Sequence, residues 1–258
     1  MIRALWTAAS GMEAQQLSVD TIANNIANVN TTGYRRARVS FQDLFYETLR
    51  SGGASPVGPL QVGHGVSAAA GQRAFQQGSV EPTGNPLDLA IEGEGFFAVS
   101  AGETTAYTRD GNFRINAEGI IVNGAGYALQ DEGGGELQLP DDARDISISP
   151  DGVVTARSAD GNIETVGQIK LVRFINPGGL EAVGGNLFRE TEASGEVEEG
   201  TPAAEGFGTI CQEFLERSNV SVVEEMVGLI VAQRAYELNS KAVQSADEML
   251  ALANNLKR

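Results

Sequence analysis

The chain has 258 residues, 41% of them hydrophobic, with 32 glycines, one cysteine, one histidine and a net charge of −16. That length is ample for one large domain or two modest ones, and so much glycine favours turns and short strands over a mostly helical fold. Cys211 alone excludes an internal disulfide, and with only His64 beside it no zinc site of nitrogen and sulfur ligands can be assembled.

The charge is unevenly spread. Residues 1–50 carry a net +1 and residues 211–258 a net −2, which leaves −15 on residues 51–210. A middle so acidic must be well solvated and repels nucleic acid and anionic membrane. The nearly neutral ends suit surfaces that become buried together. No apolar run approaches the roughly 18–20 residues of a membrane span. The opening MIRALWTAASGMEAQQ lacks the apolar core of a cleavable secretory signal. The expectation is a chain that stays in the cytoplasm or leaves by a route that uses no such signal.

The first segment, 1–33, reads as a helix. Leu5, Met12, Val19 and Ile26 recur every seven residues, and Ala8, Ile22 and Val29 fall three positions after members of that row. This is the narrow seam of a coiled coil, broken only at Gln15. Gly33 is placed to end the helix. Yet Asn24, Asn25, Asn28 and Asn30 crowd the last turns, although asparagine competes for backbone hydrogen bonds and is a mediocre helix residue. Residues 34–75 read as a connecting segment that becomes Gly/Pro-rich at SGGASPVGPLQVGHG.

From about 76 to 210 the period switches to two. LDLAIEGEGFFAVS, AYTRDGNFRINAEGIIVNGAGYALQ and DISISPDGVVTARSADGNIETVGQIKLVRF read as strands, with Asp110-Gly111, Asp151-Gly152 and Asp160-Gly161 as hairpin turns. The stretch ETEASGEVEEGTPAAEGFG is polar enough for an exposed loop. Residues 211–258 return to the seven-residue period: Val222, Leu229, Tyr236, Val243 and Leu250 form one row, and Ala232, Ala246 and Ala253 another. Ser218, Asn219 and Ser221 are N-cap candidates. Glu224 and Glu225 suit the positive end of the helix dipole, and Lys257 and Arg258 the other end. A helix of about 50 Å is expected at 1.5 Å per residue.

The fold class is therefore α+β: N- and C-terminal coiled-coil helices, 1–33 and 217–258, paired with each other and bracketing a mostly antiparallel all-β domain. Narrow seams of this kind need partners to stay folded. One helix pair leaves faces uncovered, so the coiled coil is expected to complete itself against neighbouring copies.

Chemistry is sparse. His64 reads as a loop residue, and a catalytic triad would hang on it alone. Asp110-Gly-Asn112-Phe-Arg114-Ile fails as a calcium loop, because Ile stands where the sixth-position glycine is required. Glu92 and Glu94 read as a solvated edge. Arg35, Arg36 and Arg38, with no aromatic residue interleaved among them, are weak evidence for nucleic acid. No catalytic, cofactor or metal residue stands out.

IANNIANVNTTGYRR closely resembles the N-terminal signature of the bacterial flagellar rod and hook axial proteins, and SNVSVVEEMVGLIVAQRAYELNSKAVQSADEML resembles that family's C-terminal helix. GNPLDLAIEGEGFFAV and YTRDGNFRINAEG resemble its β-domain entries, so the likeness spans both ends and the middle. MIRALWTAASGMEAQQ and ELNSKAVQSADEML are most similar to the distal rod branch, with the proximal rod branch next and, from another class, a soluble coiled-coil adaptor as the rival.

The resemblance implies a non-enzymatic building block without cofactor, nucleic acid or small-molecule substrate. It would leave through the flagellar type III export apparatus without signal cleavage. It would then polymerise with its own kind into the basal-body shaft that crosses the periplasm. Its neighbours would be other rod proteins, the hook protein and the P- and L-ring proteins.

The expected assembly interface comprises Leu5, Met12, Val19, Ile22, Asn24, Asn25, Ile26 and Asn28 on the first helix. On the last helix it comprises Val222, Leu229, Tyr236, Asn239, Val243 and Leu250. Asn24 and Asn28 are expected to set axial register between protomers. Phe41 and Phe45 match the family's proposed export-gate spacing, with a packed helix turn through Phe41, Leu44 and Phe45 as the alternative. Residues 51–66 fall where distal rod proteins carry a segment linked to stiffness.

Overall fold

The computed structural model describes residues 2–50, 60–102, 104–140, 143–158 and 162–255. The chain forms two compact units, one of Met1–Ala27, Ala37–Arg73 and Ser221–Arg258, the other of Asn28–Arg36 and Ala74–Val220.

The first unit holds both long helices, α1 (Ile2–Ala27) and α2 (Val222–Asn255). A Cβ added at Gly11 would meet Asn239, one added at Gly228 would meet Ile22, and Asn25 bonds Glu225. Each residue gained along α1 is one lost along α2, so the helices run antiparallel in constant register. Ala8 on α1 and Ala232 and Ala246 on α2 are buried. The pairing of the two terminal helices expected from the heptads is present.

The segment expected to be a connector is instead a long two-stranded ribbon. Ala37–Asp43 pairs antiparallel with Val66–Arg73, and Tyr46–Arg50 pairs with Leu60–Gly63. The Leu44 and His64 amides, donating to Gly65 and Phe45 carbonyls, carry the ladder across the join. Both strands are largely exposed, so they lack the apolar alternation that marks a half-buried strand. The Gly/Pro run 51–59, and with it most of the stretch linked to stiffness, lies outside the described residues.

In the second unit every pairing between strands is antiparallel among the described residues. The largest sheet runs Glu181–Gly184, Leu187–Arg189, Thr104–Thr108, Phe96–Ala101, Ala128–Leu129, Ile121–Asn123, Phe113–Ile115; Leu171–Phe174 also pairs with Phe96–Ala101, and Val197–Gly200 pairs with Leu171–Phe174. A meander of Ala143–Ile148, Val153–Ser158 and Ile163–Gln168 accompanies it.

Residues 96–100 are buried throughout, because both faces of this strand are covered. Phe97 and Val99 enter a core with Leu89, Phe113, Ile121 and Leu129. Phe96 and Ala98 face a second core with Phe174 and Phe188. There Phe75, Phe96, Phe174 and Phe188 meet edge to face at 5.5–6.1 Å between centroids.

Several local expectations differ. Asp151-Gly152 is a hairpin turn, with Gly152 at φ +79° between paired strands. Asp110-Gly111 joins strands that do not pair with each other, and Asp160-Gly161 lies outside the described residues. Strands Thr209–Gln212 and Phe214–Glu216 occupy what was read as the start of the last helix segment. The first helix stops at Ala27, so Gly33 does not end it.

Candidate functional site

The residues named for assembly fall into three environments. Leu5, Met12, Val19, Ile22 and Ile26 on α1, and Leu229, Asn239, Val243 and Leu250 on α2, are half-buried along the helix pair. Val222 and Tyr236 are exposed, at 40% and 42%. Asn24 is exposed, and Asn28, half-buried, stands just past the helix end, where its side chain accepts from the Thr31 hydroxyl at 3.1 Å.

Asn25 is the amide the fold itself uses. It is 1% exposed; its Oδ1 accepts the Ala37 N–H and its Nδ2 donates to the Ala37 carbonyl, each at 2.9 Å. The side chain thus acts as one more rung at the start of the ribbon. The same Nδ2 donates to Glu225 Oε2 at 3.2 Å. Glu225, in the first turn of α2, is 2% exposed. Asn219 is no N-cap: it accepts from the Arg36 N–H at 2.7 Å and donates to the carbonyls of Ala74 and Gln76. Lys257 and Arg258 lie outside the described residues.

The second unit hides a charge cluster that the sequence reading missed. Arg35, one of the three arginines of the short basic cluster, is 1% exposed and grips Glu216 bidentately at 2.8 and 3.0 Å. Glu216 also accepts from Arg109 at 3.4 Å and from the Gly78 N–H at 2.7 Å. Burial brings the Arg109 guanidinium down to about 10, with Glu216 opposing that shift. Gly33 sits beside this cluster at φ +66°, its N–H donating to the Glu216 carbonyl at 2.9 Å. A Cβ there would lie 2.5 Å from the Asp110 nitrogen, so only glycine fits.

Asp110 accepts from the Thr32 hydroxyl at 2.7 Å. Burial raises its carboxyl pKa and the Thr32 bond opposes the rise. The 28–36 segment after α1 is therefore a plug locked into the β unit by Thr32, Gly33 and Arg35.

Exposed apolar side chains concentrate on α2. Val223, Met226, Val227, Ile230, Val231 and Leu238 are 54–73% exposed, on the side away from α1. Phe45 is 88% and Phe41 38% exposed, both on the ribbon, so no packed helix turn runs through Phe41, Leu44 and Phe45. Glu92 and Glu94 are exposed, as a solvated edge requires. Among the described residues no group of three or more His, Cys, Asp or Glu side chains is placed to hold a metal. No helix among them is long and apolar enough to cross a membrane.

Three family models match this architecture in order: "Flagella basal body rod protein" at residues 5–35, "Flagellar hook protein FlgE/F/G D1 domain" at 90–156 and "Flagellar basal body rod FlgEFG protein C-terminal" at 212–256. The flagellar basal-body rod protein FlgG of Borreliella burgdorferi is 50% identical over all of both chains. That of Caulobacter vibrioides is 47% identical over 99% of this chain and 100% of its own. That of Bacillus subtilis is 40% identical over 100% of both chains.

The chain belongs to the FlgG family of flagellar basal-body rod proteins.

In this FlgG-family chain the N-terminal match covers α1 from Leu5 onward and the plug through Arg35. The C-terminal match begins at Gln212, ahead of Glu216, and runs through α2. The buried Arg35–Glu216 pair thus joins two family segments 181 residues apart. Nothing local to either residue announces that contact. The nearest signal is a charged residue, Glu216, in a short strand beside buried Leu215.

Proposed function

We propose that the chain is a structural subunit of the flagellar distal rod, self-assembling helically into the drive shaft that passes torque from motor to hook. The observation that carries this reading is the apolar face of α2, left uncovered by α1 and running over several turns. Six large apolar side chains at more than half exposure are far more than a solitary particle gains from showing. Full-length likeness to FlgG rod proteins supports the same reading.

Torque transmission needs no turnover. It needs many seams, each modest, which add because every subunit meets several neighbours. The partners under this reading are further copies, the other rod proteins, the hook protein and the P- and L-ring proteins. The type III export apparatus handles the chain in transit without cleaving a signal, and the rod crosses the periplasm. Exposed Asn24, with Asn28, Val222 and Tyr236, belongs to the contacts between copies. Phe41 and Phe45, accessible on the ribbon, serve as the export-gate motif.

Placing lysine at Val223 and Ile230 tests the reading. The variant is expected to be made, folded and exported, yet to give no rod and no motility. Normal motility with both lysines in place would overturn it. Replacing Phe41 and Phe45 by alanine is expected to block secretion at normal cytoplasmic levels, and continued secretion would remove the gate assignment.

A further inference from the structure

A groove of about 720 Å³ opens between α1 and the ribbon, on a side of α1 that α2 does not occupy. Its floor and walls are Ala14, Leu17, Leu44 and Val66, and Glu13 and Asp20 line it from α1. Leu17 is 41% exposed, and among the described residues neither Glu13 nor Asp20 is ion-paired. On α2 the exposed face carries Arg234, Leu238 and Lys241. The two sets match: a pair of like charges seven residues apart, about 10.5 Å along a helix, with one exposed leucine between them. One set is acidic and the other basic.

Resting on the homopolymer reading above, we infer that this groove receives α2 of the next copy. Copies related by a screw operation keep one polarity. Within a copy α1 and α2 are antiparallel, so an incoming α2 also runs antiparallel to the α1 it meets. That pairs Glu13 with Lys241 and Asp20 with Arg234, and brings Leu238 beside Leu17 over the apolar floor. Arg234 exchanges or shares its present partner, Glu237, now 2.8 Å away on its own helix. Groove and ridge are different surfaces of one molecule, so the contact is heterologous and propagates instead of closing.

Charge reversal tests the pairing in purified protein, read by sedimentation velocity and negative-stain images. All four residues are exposed, so E13K/D20K and R234E/K241E are expected to keep the parent's circular dichroism and melting temperature. Each variant alone places like charges across the contact and is expected to raise the concentration for assembly at least about tenfold. Mixed in equal amounts they are expected to assemble again, because each groove then meets a helix of opposite sign. If the folded variants assemble singly as the parent does, or if the mixture stays dispersed, the groove assignment is wrong while the homopolymer stands. If the parent itself never assembles, the homopolymer reading fails and this contact goes with it.

Discussion

Replacing Glu216 by glutamine keeps the size of the side chain and removes its charge. The carboxylate is fully buried and takes two bonds from Arg35, one from Arg109 and one from the Gly78 amide. With glutamine, Arg35 at 1% and Arg109 at 6% exposure confront each other without an anion, and the new NH₂ points a donor at donors. Breaking one buried pair costs about 3–5 kcal/mol. For a unit of this size that lowers the melting temperature by on the order of 10 °C.

Thermal and urea unfolding of the purified variant read the loss directly. A companion variant, E216L with R35M and R109L, removes all three charges and is expected to recover to within about 2 kcal/mol of the parent. Glu216→Gln within about 1 kcal/mol of the parent would refute the role given to the cluster as the lock of the plug.

Gly33→Ala is expected to destabilise by at least about 2 kcal/mol, since it combines a left-handed backbone with a clash against Asp110; unchanged urea unfolding would contradict this. Asn25→Ala removes both rungs to Ala37 and a bond to buried Glu225, at a cost of about 2–3 kcal/mol by chemical denaturation. Asn24→Ala with Asn28→Ala is expected to spare most of that stability and to impair rod assembly, so a motile double variant would end the register idea. Burial, with Glu190 and Glu199 adding, pushes the Tyr107 phenol up to about 12. Ultraviolet titration is expected to show one tyrosine ionising near there. The folded state holds that proton more tightly, so the linked stability is full below pH 10 and is lost as pH rises toward 12. A Tyr107→Phe variant with the same alkaline unfolding profile would deny the linkage.

Much of the fold was readable because it rests on periodicity. Leu5, Met12, Val19 and Ile26 repeat at seven, and each is half-buried on α1. Alternation also found most strands of the β unit. The ribbon at 37–73 escaped because an exposed two-stranded element has no buried face to imprint on its sequence. Asn25 escaped for the opposite reason: its row of neighbouring asparagines looks uniform, and only tertiary contact separates the buried amide from exposed Asn24. Arg35 and Glu216 lie too far apart in the chain for any window to join them. Their burial depends on a pairing that local polarity argues against.

Sedimentation velocity of the purified parent protein over rising concentration addresses the uncovered α2 face most directly. A distribution that broadens continuously to ever larger species, with helical filaments in matched images, is the expected result. A single sharp monomer or closed dimer at every concentration would contradict it.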